Sequence, residues 1–245
     1  MKSIKDKRKI IIIIILILLS LLVIGVYYST NKKSNKKDYL LVNIDRNNNV
    51  NNPINYEEVI NDIRSEYNND DIVGILEIEN TDYIVPILQG EDNEYYLNHL
   101  PNKEENFMGS VFLDYRVNID SSRKLLIYGH NSANVDMPFT ILEEFYDKDY
   151  YDNHKYMSIT TSSTKKEYEI FSVYVETSDF SYMNINFDSD EDYYNHLSKL
   201  KSKSMYDTGV NINSNDEILV LQTCSEHPDY RNYQKKYLLI ILRRL

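Results

Sequence analysis

The sequence predicts a mainly β domain, a barrel or a curled sheet with a few short helices, behind an N-terminal transmembrane helix. Three observations predict it. Short apolar runs recur at close spacing between turn residues, and few stretches show helical periodicity. Residues 10–28 form one uncharged apolar run. The only cysteine of the 245 residues, Cys224, stands where the apolar run Ile218-Leu219-Val220-Leu221 gives way to Gln222-Thr223.

At the amino terminus, Lys2, Lys5, Lys7, Arg8 and Lys9 face one acid, Asp6, ahead of the apolar run. As a helix, residues 10–28 span roughly 28 Å, close to the ~30 Å hydrocarbon core of a bilayer. Tyr27 and Tyr28 suit the far interface, and the basic flank places the amino terminus in the cytoplasm and residues 31–245 outside. The rival reading is a cleaved signal peptide. The run is long for that role, and no small-x-small cleavage site follows it. Residues 1–30 are therefore expected to be a cytoplasmic tail and single-pass anchor, and the Asn- and Lys-rich stretch 31–55 a spacer. Residues 56–245 are the expected folded domain.

Five of the 27 basic residues and one of the 38 acidic ones lie within the first thirty positions, leaving 22 against 37 beyond them. An acidic exported part argues against nucleic acid, whose phosphates need a basic footprint. With one cysteine there is no intramolecular disulfide, so packing must stabilise the domain. The 23 tyrosines, with no tryptophan, fit strand propensity rather than a binding signature.

The elements follow in order. Val59, Ile60, Ile63 and Tyr67 recur at helical spacing over 56–67, with Glu57 and Glu58 early. Strands are expected at 72–78 and 83–88 around an Asn80-Thr81-Asp82 turn, with Pro86 suited to an edge or a bulge. A short helix or turn is expected at 93–100, strands at 109–114 and 124–128, and a helix at 139–145. Residues 156–160 and 167–175 form the next strands. The second alternates Tyr168, Ile170, Ser172 and Tyr174 against Phe171, Val173 and Val175. A helix at 190–200 precedes strands at 218–223 and 237–242.

A thiol at a strand end is displayed at a sheet rim. The plain alternative is a small buried hydrophobe, but Ser225-Glu226-His227 is a poor core setting. An imidazole is the usual activator of a thiolate. His99, His154 and His196 sit in polar or helical surroundings that suit surface or packing roles. His227 follows too closely for more than local contact, and Cys224-x-x-His227 lacks a second ligand pair, so no metal is expected. His130 ends its own apolar strand after Gly129, as Cys224 ends its strand. Two such ends on one rim can face each other. For a cation at a developing oxyanion the options downstream of Cys224 are Arg231, Lys235, Lys236, Arg243 and Arg244. Arg231, the arginine nearest the thiol in sequence, is the expected one, and the terminal pair suits the far end of the last strand.

Leu221-Gln222-Thr223-Cys224 resembles the Leu-x-Thr-Cys signature of sortases, and Tyr128-Gly129-His130-Asn131 resembles their histidine motif. Asn93-Glu94-Tyr95-Tyr96-Leu97-Asn98, the stretch from Gly109 through Arg116, and the 190–200 helix are similar to class B members in order and spacing. The resemblance spans about 56–242. It implies a closed barrel of about eight strands and a cysteine transpeptidase without metal or organic cofactor. Such an enzyme cleaves a Pro-x-Thr-type C-terminal sorting signal of an exported protein and joins the protein to a peptidoglycan amine. Carried over by position, Cys224 is the nucleophile, His130 the acid–base partner, and Asn98, Tyr182 and Thr223 line the peptide groove. The chain departs from the pattern at Gly74-Ile75, at Pro138, and at Lys236, which stands where an arginine normally opens the last strand. A peptidase that only hydrolyses and a non-catalytic surface module of the same fold stay open as alternatives.

Overall fold

The structure, a computed structural model, describes residues 54–245; the expected anchor and most of the spacer lie outside the described residues. No helix among the described residues is long and apolar enough to cross a membrane. Eight strands close into a barrel: β1 (Ile72–Ile78), β2 (Ile84–Leu88), β3 (Phe112–Leu113), β4 (Lys124–Tyr128), β5 (Tyr156–Thr160), β6 (Lys165–Glu176), β7 (Ile218–Cys224) and β8 (Tyr237–Arg244). Their order around the barrel is β1-β2-β3-β4-β7-β8-β6-β5, and β5 pairs back onto β1. Among the described residues three α-helices accompany them: α1 (Tyr56–Tyr67), α2 (Lys148–His154) and α3 (Asp190–Ser202).

Alternation along the strands separates two apolar layers. One takes residues from all eight strands, including Leu76, Val85, Leu113, Ile127, Ile159, Val173, Leu221 and Ile240, and fills the barrel. The other, with Ile75, Phe112, Leu126, Tyr174, Val220 and Leu239, lies on the outside under α1 (Ile60, Ile63) and α3 (Tyr193, Leu197, Leu200). Helix α1 starts at Asn55, whose side chain accepts the Glu58 N–H, and ends at Asn68 in the left-handed region.

The structure corrects two local expectations and adds a helix. The expected strand over 109–114 shrinks to Phe112–Leu113. Its first residues are engaged elsewhere: the Ser110 N–H donates to the Tyr96 carbonyl and the Ser110 hydroxyl to that of His99. The simple alternation of β6 is broken by a register shift between Ile170 and Ser172. An extra residue in one strand reverses the parity beyond it. Val173 therefore joins Tyr168 and Ile170 inside the barrel, while Tyr174 turns outward with Phe171. Helix α2 has no counterpart among the expected elements; it is one short, polar stretch opened by Asp147, whose carboxylate accepts the Asp149 N–H. The 139–145 stretch is a 3₁₀ helix, Thr140–Tyr146. Pro86 sits where β2 has β1 as its partner, because β3 meets β2 only at Leu88↔Phe112.

A charged knot closes the end of β6. Glu176 accepts the N–H groups of Thr177, Ser178 and Asp179, and Lys203 bridges Glu176 and Asp179. Burial works against ionising Glu176, but Lys203 and the backbone donors outweigh it and lower its pKa. Hydrogen bonds from Lys199 and Lys203 hold Asp179 well below the usual carboxylate range. Both folded values lie below the unfolded ones. The stabilisation is complete above the unfolded carboxylate pKa of ~4 and is lost as pH falls from there toward the folded values. The melting temperature is expected to drop on acidification below about pH 5, and Lys203→Met should shrink that drop. A wild-type melting temperature that stays level down to pH 2 would contradict the knot.

Candidate active site

Strand β4 runs parallel to β7 in a register that sets Lys124 beside Ile218 and Tyr128 beside Gln222. Beyond the strand end the pairing continues. The Gly129 N–H donates to the Gln222 carbonyl, the Thr223 hydroxyl donates to the Gly129 carbonyl at 2.8 Å, and the Asn131 amide donates to the Cys224 carbonyl at 2.9 Å. Two steps beyond Tyr128 and Gln222, the same register brings His130 level with Cys224. Both side chains line one cleft of about 470 Å³, walled by Leu97, Phe112, Tyr128, Phe180, Tyr182 and Tyr237 among others.

Cys224 is exposed at the end of β7 and pairs with Tyr237 of β8. The surrounding protein still displaces enough water to push its thiol upward; Glu226 adds to the shift and Lys236 opposes it. Reaction of Cys224 with iodoacetamide, followed against pH, is expected to turn on at lower pH in Glu226→Gln and at higher pH in Lys236→Met. Midpoints that do not move, or that move the other way, would remove these two charges from the account of the thiol.

His130 is oriented by one bond: its Nε2 lies 2.7 Å from the Leu97 carbonyl. A carbonyl can only accept, so Nε2 carries a proton, and Nδ1 is the nitrogen left to take one up or give one away. Leu97 closes the 3₁₀ turn Tyr95–Leu97. Behind the pair, Glu143 accepts from the Asn131 amide and from the Glu226 N–H, both at 2.8 Å. Burial pushes the Glu143 carboxyl up, against those hydrogen bonds. This cluster ties the segment after His130 to the segment after Cys224.

The other expected residues take different places. Tyr182 is buried in the cleft wall, its hydroxyl donating to Gln222 Oε1 at 2.8 Å. Thr223 lines the cleft, but its hydroxyl hydrogen is committed to Gly129. Asn98 is exposed and does not line the cleft, which takes Asn93 and Leu97 from that region instead. Arg231 is exposed after the turn Pro228–Tyr230 and does not line it either. The Nζ of Lys236 lies 3.9 Å from Glu226. The Lys or Arg side chain that does line the cleft is Lys235, with Nζ 5.3 Å from the centre of the Phe180 ring. Among the described residues no cluster of His, Cys, Asp and Glu is arranged to hold a metal ion.

The family model described as the Sortase domain matches residues 76–241. The chain belongs to the sortase family. Its similar relatives are of class B. Sortase B of Listeria monocytogenes is 35% identical over 163 residues, 66% of each chain. That of Staphylococcus aureus is 29% identical over 159 residues, 64% of this chain and 65% of the relative. The match thus spans just under two thirds of these two proteins. Among solved structures, Clostridium perfringens sortase B superposes with a TM-score of 0.67 at 31% identity, over 76% of this chain and 98% of that one. A Staphylococcus aureus sortase B–substrate complex superposes with a TM-score of 0.69 at 27% identity, over 77% and 85%. The eight-stranded barrel expected for a sortase is the fold observed.

Proposed function

We propose that this chain is a membrane-anchored cysteine transpeptidase that cleaves a Pro-x-Thr-type sorting signal through a Cys224 acyl-enzyme and joins the protein to a peptidoglycan amine. The observation that carries this reading is the shared register of β4 and β7, which delivers a thiol and an imidazole to one cleft. Homologous sortase B structures, one in complex with a substrate and one with triglycine, support a peptide donor and an amine acceptor. In the first step the Cys224 thiolate attacks the Thr carbonyl. The C–N bond breaks as His130 Nδ1 gives its proton to the leaving amine. In the second, an acceptor amine attacks the thioester and returns a proton to His130, and the Cys224 thiolate leaves. The apolar run 10–28 supports a single-pass anchor with the domain on the extracellular face.

Lys235 is the cation we place at the oxyanion. It lines the cleft, whereas Arg231 and Lys236 do not. Lys235→Ala is expected to lower kcat about 10²-fold, the scale of losing one oxyanion donor, with Arg231→Ala near wild type. The reverse order of effects would return the role to Arg231.

The deciding experiment is mass spectrometry on the full chain in detergent with Asn-Pro-x-Thr and Ser-Pro-x-Thr peptides, with and without a peptidoglycan-type amine. A Cys224 acyl adduct that converts to an amide product is expected. An adduct that yields only acid, with the amine present, would favour a hydrolysing peptidase. No adduct from folded protein with a free thiol would favour a non-catalytic module.

A further inference from the structure

The cleft wall that carries Tyr182 is held by one fully buried side chain and several partly buried ones. Between Phe180 and Phe187 only Tyr182 is buried. One side of this segment faces the cleft through Phe180, Tyr182 and Met183. Further on, Ile185, Asn186 and Phe187 face a second cavity of about 350 Å³. Between these two cavities Phe180, Ile185 and Phe187 pack against the outer apolar layer, each only partly buried.

Its backbone is reached by charge as well. Lys124, the first residue of β4, is 3% exposed. Its Nζ lies 2.6 Å from the Tyr182 carbonyl, 2.7 Å from that of Asn184 and 2.8 Å from His196 Nε2 on α3. Arg116 Nη2 donates to the intervening carbonyl, Met183, at 3.3 Å. Three successive carbonyls of the wall therefore end on two cations. Arg116 is itself fixed by a two-point contact with Asp114, which is wholly buried and also accepts from Tyr128 and Asn93. Tyr128 and Asn93 line the cleft, so the tether and the cleft share their footing.

Burying an ammonium is expensive, and an apolar side chain would fill the same place. Burial, with repulsion from Arg116, pushes Lys124 down to about 7, and burial pushes His196 down to about 3. With His196 neutral, the Lys124 ammonium can satisfy all three acceptors with its three hydrogens.

We propose that Lys124 and Arg116 are positioning residues that hold the Tyr182 wall in place and thereby set the affinity of the cleft for its peptide. This rests on the transpeptidase reading for the peptide and on the tether geometry alone for the wall, and the two parts are tested separately. Amide hydrogen exchange of the full chain in detergent reads the wall without any turnover. In Lys124→Met, amides of residues 180–187 are expected to exchange about tenfold faster or more, the scale of losing hydrogen bonds to a charged group. Those of β7 should be unchanged. Exchange in 180–187 that matches wild type would overturn the proposal, whether or not the chain proves to be a transpeptidase. With an active enzyme, Lys124→Met should raise KM for the signal peptide about tenfold or more. Its kcat should stay within about threefold of wild type, along with the rate of Cys224 alkylation by iodoacetamide. A fall in kcat and alkylation with KM unchanged would instead assign Lys124 to the fold or to the catalytic pair. Should Lys124→Met fail to fold, Arg116→Lys serves. It keeps the charge beside Asp114 but loses the fork that also reaches Met183. Faster exchange at 182–184 is expected there too, and none would overturn the tether.

Discussion

Cys224→Ala is expected to abolish the acyl adduct completely, and His130→Ala to lower kcat/KM about 10²- to 10⁴-fold, the range of a lost general acid–base. The two losses differ in kind. Without the sulfur no covalent intermediate can form. Without the imidazole the thiol remains, so slow adduct formation should survive and rise with pH as hydroxide deprotonates Cys224. Intact-protein mass spectrometry of both variants at pH 7 and pH 9 separates them. A His130→Ala enzyme with wild-type kcat/KM would show that the strand-end pairing does not carry the chemistry.

The second large effect is expected far from the thiol in sequence. Gly109 has φ +60°, and a Cβ built on it would lie 2.5 Å from the Leu97 carbonyl oxygen and 2.8 Å from that of Tyr96. Backbone on both sides leaves no flexible end to give way. The Leu97 oxygen is also the acceptor that orients His130. Gly109→Ala should therefore act twice. It strains the turn, which costs about 1–3 kcal/mol, and it displaces the oxygen that fixes the imidazole. We expect a lower melting temperature together with a loss in kcat of about 10²-fold, the size produced by a 1 Å misplacement. Loss of stability with full kcat would show that the Leu97 contact does not orient His130.

Much of this is legible in the sequence because strands leave a period-two signal. The ends of the runs at Tyr128 and Cys224 mark the positions of the cleft's imidazole and thiol, and the parallel ladder between them supplies the register. The misses have physical reasons. The shift at Ile170/Ser172 in β6 reverses alternation without any Gly or Pro to mark it. Asn98 is expected in the cleft, but the tight 3₁₀ turn before it presents Leu97 and leaves Asn98 in solvent. Lys235 and Lys236 are adjacent cations at the mouth of β8, and only the fold decides which one faces the cleft. Lys124 is expected only as the first residue of a strand, with nothing in the sequence to mark a partner. It is buried because the wall folds over it, a contact with residues 58 and 60 positions away. No local pattern reports such a contact.

The parallel pairing of β4 with β7 also bears on how the enzyme comes into being. Partners such as Lys124 and Ile218 stand 94 positions apart. Strand β8 must then slot between β7 and β6, its register running from Tyr237 beside Cys224 to Arg244 beside Tyr168. Such distant pairings are slow to form, because the chain loses loop entropy before contacts return it. The thiol and the imidazole therefore meet only once the long-range pairing of β4 with β7 has formed. A chain without that pairing carries an ordinary, unassisted cysteine, so reactivity toward a peptide would mature with this pairing rather than with collapse.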